Sequence, residues 1–229
     1  MGYEVAAYGT GRWNGVGILS RVGIADVTRG LTDEPGFQPQ DTAPAATLPL
    51  PDVSPTPSGL EPRAIGATCG GVRIWSLYVP NGRTVEHPHY RYKLAWLEAL
   101  RGTVHAELEQ SRPFAVLGDF NIAPTDEDVW DIGQFTESTH VTEPERAALA
   151  ALRAEGLADI YPRALKYDVP FTYWDYRQLC FPKNRGMRID LVYGDARFSK
   201  AVTDAYVDRE ARKGQGASDH APVVVDLAL

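Results

Sequence analysis

Cysteine is scarce, with only Cys69 and Cys180 in the chain. Two isolated cysteines exclude a disulfide framework and a zinc site built on thiolates, and they suit a reducing compartment. No apolar run approaches the ~18 residues of a membrane span. The opening Met1-Gly2-Tyr3-Glu4 also lacks the basic-then-apolar order of a secretory leader. Internal repeats are absent, which excludes solenoid architectures. A surplus of positive charge is missing too, and a formal net charge of -7 argues against a protein that coats nucleic acid indiscriminately. What these absences leave is a soluble cytoplasmic protein, without a membrane partner and expected to be a monomer. Its 229 residues, 44% of them apolar, suffice for one core, so a single domain over 1–229 is expected.

Charge is unevenly distributed. From Arg177 to Lys213 nine Lys or Arg stand against five acids, a local positive surface able to face a polyanion while the remainder stays acidic. Proline is uneven as well. Residues 33–60 hold Pro35, Pro39, Pro44, Pro49, Pro51, Pro55 and Pro57, which supply neither a ladder nor a helix and predict a surface excursion.

The ordered segments read clearly. Gly15 to Ser20 reads as a buried strand. Arg63 to Cys69 and Val72 to Val79, joined by Gly70-Gly71, read as a tight hairpin. Tyr90, Leu94, Leu97, Leu100 or Arg101, Val104 and Leu108 recur at steps of three and four, predicting an amphipathic helix over 89–110. Phe114 to Leu117 is the next strand. Thr142 and Glu145 form a capping-box pattern ahead of a helix over 147–154 that Gly156 stops. Strands at 189–193, 202–207 and 222–228 follow. The fold class expected is α/β, with two packed, mostly antiparallel β-sheets flanked by helices.

Three polar clusters sit against these apolar runs. Gly118-Asp119-Phe120-Asn121 follows Val116-Leu117, Asp190 precedes Leu191-Val192, and Ser218-Asp219-His220 precedes Pro222-Val223-Val224-Val225. A rigid sheet presents chemistry at such strand ends. Carboxylates that hold a hard divalent cation, an amide and an imidazole are what phosphoester cleavage requires. Any one of these residues alone would ordinarily be a turn, cap or surface residue; their combination points to a site.

The chain resembles the exonuclease III type of apurinic/apyrimidinic endonuclease, within the endonuclease/exonuclease/phosphatase superfamily. The likeness rests on Gly15-Val16-Gly17-Ile18-Leu19-Ser20, Tyr78-Val79-Pro80-Asn81-Gly82, Gly118 to Thr125, Phe171 to Arg177, Asn184 to Val192 and Ser218 to Pro222, in family order. It implies a four-layer α/β sandwich of the DNase I-like kind. It implies magnesium as cofactor, with manganese as a substitute, and double-stranded DNA with abasic sites or 3' ends as partner. By the same resemblance Asp119 orients and deprotonates the attacking water, Asn121 hydrogen-bonds water or phosphate, and Asp119, Asn121 and Asp219 hold the metal. His220, held by Asp190, touches a nonbridging phosphate oxygen, and Tyr78 contacts the scissile phosphate. Asn81, Arg83 and Arg177 match positions on the DNA backbone, while Tyr173, Met187 and Ile189 match the pocket for a flipped abasic sugar.

One departure stands out. Family members open with a Trp-Asn-x-Asn type strand end and then a Gln-Glu-Thr strand end whose Glu is a principal metal ligand. Neither occurs here, and Trp13-Asn14-Gly15 leads directly into the later strand, so an N-terminally incomplete domain is expected. The activity implied is hydrolysis of DNA 5' of abasic sites and 3'-to-5' removal of nucleotides. Two alternatives remain: a phosphoesterase acting on a small or lipid phosphate, and a noncatalytic DNA-binding remnant.

Overall fold

The computed structural model describes residues 2–10, 14–37 and 59–228. Trp13 and most of the proline-rich stretch at 33–60 lie outside the described residues. The chain runs through β1 (Glu4–Tyr8), β2 (Val16–Ser20), β3 (Ala25–Arg29), β4 (Ala64–Cys69), β5 (Val72–Tyr78), α1 (Pro88–Leu108), β6 (Phe114–Asp119) and α2 (Glu143–Ala154). It continues through the short β7 (Ala158–Asp159) and β8 (Arg163–Ala164), then β9 (Asp190–Gly194), α3 (Ala196–Ala201), β10 (Val202–Val207) and β11 (Val223–Leu227).

Six strands form the central sheet in the order β3-β4-β5-β6-β9-β7. Only β5 and β6 run parallel in it, because α1 carries the chain back between them; the remaining pairs are antiparallel. The hairpin β4–β5 turns at Gly70 and Gly71, with φ of 56° and 86°, the left-handed values that a two-residue turn of this twist demands.

The sheet's two faces bury different partners. Trp75, Leu77, Phe114, Val116, Leu191 and Tyr193 face α1 and α2, meeting Trp96, Leu97, Leu100, Leu149 and Leu152. The capping box of α2 is formed, with Glu145 accepting from the Thr142 backbone N–H at 3.1 Å, so the helix begins at Glu143, earlier than its apolar pattern begins.

A second layer covers the other face in two pieces. The hairpin β1–β2 packs through Ala6 and Ile18 on Ile65 and Ala67. The three-stranded sheet β11-β10-β8 packs through Val223, Val225 and Leu227 on Ala115 and Val192. The reading of Gly15 to Ser20 as a buried strand is corrected here: Ile18 and Ser20, with half-buried Val16, point into the protein, and Leu19 is 63% exposed. Alternation along a strand sends neighbours to opposite faces, and nothing among the described residues covers the outer face of β2. Along the open edge of β11 runs an apolar trough of about 340 Å³, floored by Ile74 and Leu117 and ending at Asp190. No described helix is long and apolar enough to cross a membrane.

An accessible apolar trough beside a strand edge left unpaired among the described residues should bind hydrophobic dyes. The folded chain is expected to raise the fluorescence of ANS, and Val225→Lys to lower that signal at unchanged far-ultraviolet circular dichroism. Absence of dye binding by the unsubstituted chain would mean that the trough closes in solution.

Candidate active site

Three central strands end in one row. Tyr78 at the end of β5 stands opposite Asp119 at the end of β6, and Asp119 stands opposite Asp190 at the start of β9. Sheet register therefore places a phenol and two carboxylates side by side. Gly118 is required for this: its φ is +139°, and a Cβ there would lie 2.0 Å from the Leu77 carbonyl oxygen. Beyond Asp119 the chain turns sharply, with Phe120 buried against Tyr193 and Asn121 in the left-handed region at φ 51°, a conformation Asn tolerates better than most residues. The turn brings Asn121 back onto Asp119. Its backbone N–H donates to Asp119 Oδ1 at 2.8 Å and its side-chain Nδ2 to Asp119 Oδ2 at 3.0 Å.

His220 arrives from the segment ahead of β11. Thr172 and Trp174 anchor that segment: Ala221 N donates to Thr172 O at 2.7 Å, and Trp174 N donates to Asp219 O at 2.9 Å. Thr172 Oγ1 also accepts from the Ile189 and Asp190 backbone N–H groups at 3.1 and 3.0 Å, so one buried hydroxyl fixes the start of β9. Gly186 permits the close crossing of these segments, since a Cβ there would sit 2.6 Å from Trp174 Nε1. Within this frame His220 Nδ1 lies 2.8 Å from Asp190 Oδ2 and the Tyr173 ring 5.0 Å from the imidazole.

The electrostatics follow from burial and from neighbours. Asp119 is pushed up to about 7, first by burial and then by the Asp190 carboxylate, against the opposing effects of His220, the Asn121 N–H and Lys93. Burial disfavours the His220 imidazolium, but the hydrogen bond and charge of Asp190, with Asp119 and Asp219, outweigh it and raise His220 to about 9. Burial, followed by Asp119, raises the Tyr78 phenol, which therefore keeps its proton.

The other residues singled out in the sequence fall into two groups. Met187 and Ile189 are buried with Ala123 and Val129 in a small apolar cluster on which Tyr173 packs, next to His220. Asp219 acts through space on Tyr78, Tyr173 and His220. Asn81 is turned inward, its Nδ2 donating to Asn121 Oδ1 at 3.0 Å. Arg83 is exposed and meets the His87 ring at 3.2 Å, and Arg177 is exposed in an ion pair with Asp175 on the loop that carries Tyr173. Sequence reasoning missed Lys93, His140 and Thr172. Lys93 left a signal, because a lysine between Tyr90 and Leu97 on the apolar stripe of α1 is out of place unless it has a buried partner.

Among the described residues no group of three or more His, Cys, Asp or Glu could hold a metal unaided. Asp119 and Asp219, both close enough to act on Tyr78, are nonetheless suited to a hard cation that keeps its waters and takes only one or two carboxylates. The raised Asp119 marks crowded negative charge that such a cation would relieve.

A family model described as the Endonuclease/Exonuclease/phosphatase family matches residues 2–220. An exodeoxyribonuclease of Streptococcus pneumoniae is 29% identical over 189 residues, 80% of this chain and 66% of that protein. Exodeoxyribonuclease III of Haemophilus influenzae is 30% identical over 156 residues, 64% of this chain and 58% of that one. The chain thus spans less than two thirds of the length of these relatives. Among solved structures, the 3' phosphatase NExo from Neisseria bound to product DNA hairpin is 32% identical with a TM-score of 0.84, covering 100% of this chain and 80% of that one. An AP endonuclease from Archaeoglobus fulgidus is 26% identical with a TM-score of 0.82 over the same shares. Their fold agrees with the expected class of antiparallel-rich sheets with flanking helices.

The His220–Asp190 contact has a direct test. A folded pKa of about 9 against an ordinary 6.5 means the pair stabilises the fold fully below 6.5 and loses that contribution as pH rises through about 9. The His220 ring signals in an NMR titration are expected to move with a midpoint about 9, and Asp190→Asn should bring it down. A midpoint near 6.5 in the unsubstituted chain would show the contact is not made.

Proposed function

We propose that this chain, which belongs to the Endonuclease/Exonuclease/phosphatase family, is a magnesium-dependent DNA repair nuclease, a cytoplasmic monomer that hydrolyses phosphodiesters 5' of abasic sites and at 3' ends. The observation that carries this reading is the half-buried row Tyr78, Asp119 and Asp190 closed by His220. The names of its relatives, exodeoxyribonucleases, a 3' phosphatase and an AP endonuclease, support the choice of DNA.

Asp119, tuned close to neutral pH, takes the proton of the attacking water. Asn121 spends both side-chain protons on Asp119 and on the Val79 carbonyl, so its part is to aim the carboxylate. Asp190 accepts from Nδ1 of His220, leaving Nε2–H to donate to a nonbridging oxygen as negative charge gathers there. Tyr78, which keeps its proton, supplies a neutral donor in addition to this charged one. Asp119 and Asp219 would hold a divalent cation, which would supply Lewis-acid charge at the phosphoryl group. The apolar cluster of Met187, Ile189 and Tyr173 beside His220 takes a sugar without its base, a shape that a normal nucleotide overfills. Arg83 and Arg177, both exposed, meet backbone phosphates in this reading; Arg177 must exchange its surface partner Asp175, which costs little.

The test is an assay on duplexes carrying one abasic analogue, a 3' phosphate or a recessed 3' end, beside an inositol phosphate, with magnesium and with chelator. Hydrolysis of DNA that chelator abolishes is expected. Asp119→Asn should lower the rate about 10²–10⁴-fold, the usual cost of a lost general base, and His220→Ala should lower kcat more than DNA affinity. Turnover of the inositol phosphate alone would move the reading to small phosphoesters. An undiminished Asp119→Asn rate would remove the base assignment.

A further inference from the structure

Lys93 lies in the second turn of α1 and is fully buried. Its ammonium is ion-paired with Glu145, the capping residue of α2, which is equally buried. The remaining protons of Lys93 face main-chain oxygens of the site: Asn121 O at 2.7 Å and Asn81 O at 3.4 Å. The second contact is reinforced by Thr139, whose hydroxyl reaches both Asn81 O and Glu145 Oε1, at 3.0 and 2.7 Å. The pair thus joins two helices to the two loops that end β5 and β6.

The side chains of those loops form a directed relay. His140 keeps its Nδ1 against the Thr139 carbonyl, so the ring proton belongs on Nδ1 and Nε2 accepts. Burial, followed by the Lys93 charge, lowers His140 to about 4 and keeps the ring neutral. Asn81 Nδ2 then donates one proton to His140 Nε2 at 3.2 Å and the other to Asn121 Oδ1 at 3.0 Å. With its oxygen turned to Asn81, Asn121 presents Nδ2 to Asp119. Asn81 Nδ2 thereby bridges two acceptors that lie 3.3 Å apart, His140 Nε2 and Asn121 Oδ1, and flipping Asn121 would turn its oxygen onto Asp119 Oδ2 and the Val79 carbonyl.

We propose that Lys93, paired with Glu145, is a positioning residue for hydrolysis: by holding the carbonyls of Asn81 and Asn121 it fixes the His140–Asn81–Asn121 relay that aims Asp119. This rests on Asp119 being the base of the proposed reaction, and it explains why a full buried charge pair sits behind that turn where an apolar pair would pack as well. Ion pairs replaced whole by neutral groups commonly leave a fold intact, whereas removal of one partner strands a buried charge.

The test therefore removes both charges, with Lys93→Met and Glu145→Gln together, since Gln still serves the capping box. Melting temperature and circular dichroism report the fold. Side-chain amide signals of Asn81 and Asn121 in a ¹H–¹⁵N spectrum report the relay without any reaction. The expected result is a folded protein whose Asn121 signals shift and whose kcat falls about 10- to 100-fold, the scale of a small misplacement of a catalytic group, at nearly constant KM. Asn81→Leu, at an exposed position, interrupts the relay without touching the charges and should move the same Asn121 signals and lower kcat alike. Unchanged Asn121 signals in either variant, or undiminished kcat in a folded double variant, would overturn the proposal. If the unsubstituted chain hydrolyses no phosphoester, the functional reading fails by itself, and the amide signals still decide whether Lys93 holds Asn121.

Discussion

Two carboxylates facing each other at the rim of a buried sheet dominate the design of this protein. Asp119 and Asp190 are register partners in adjacent strands. Burial raises the cost of ionising Asp119, and the like charge of Asp190 beside it raises that cost further. The rise of Asp119 to about 7 reports both. Everything near them supplies compensation. His220 neutralises Asp190 from the second layer, the Asn121 N–H groups solvate Asp119 from its own turn, and Lys93 adds positive charge from behind. Segments as distant in sequence as 93, 121, 145, 190 and 220 converge because each answers part of one electrostatic problem.

Register is the device that makes the convergence accurate. The strand pairings set Tyr78, Asp119 and Asp190 in a row, and a slip of one residue would turn Asp119 to the opposite face of the sheet. Such a slip is opposed on both faces, because Trp75, Phe114, Val116, Leu191 and Tyr193 are committed to the helices while Ala115 and Val192 are committed to the second layer. Buried ion pairs add directional constraint. Arg188 reaches Asp128 at 2.6 Å and Asp159 at 3.0 Å, which ties the residue before Ile189 to the loop after β6 and to β7 and holds β9 at its starting point. The same sheet that supplies the core thus supplies the precision of the site.

Much of this was legible in the sequence where a local rule was at work. Gly70-Gly71 gave the hairpin, Thr142 and Glu145 gave the start of α2, and the steps of three and four gave α1, because turn, cap and helical stripe each depend on neighbours a few residues away. The polar clusters were legible for the same reason, each lying against an apolar run. Strands of two residues such as β7 and β8 carry no periodicity and could not be read. The hairpin strand at Val16–Ser20 misleads because apolar residues occupy both of its faces, and only the packing decides that Ile18 goes in and Leu19 stays out. The inward turn of Asn81 and the direction of the Asn121 amide depend on partners 40 and 59 positions away along the chain. Spacing along a sequence holds no information about a contact of that range.

The acidity of the chain then takes on a different meaning. A net charge of -7 is unfavourable for approaching a phosphate backbone, and the site itself concentrates three carboxylates, Asp119, Asp190 and Asp219, around one imidazolium. With all three ionised and His220 charged, two negative charges are left over, which one divalent cation would cancel. Zinc-type ligation by three or four side chains is not needed for that, and the described residues do not provide it. A weakly held, water-rich cation is the kind that such a site selects. Under the proposed function, the crowding of negative charge that opposes a polyanion at this cleft would make productive binding conditional on the metal.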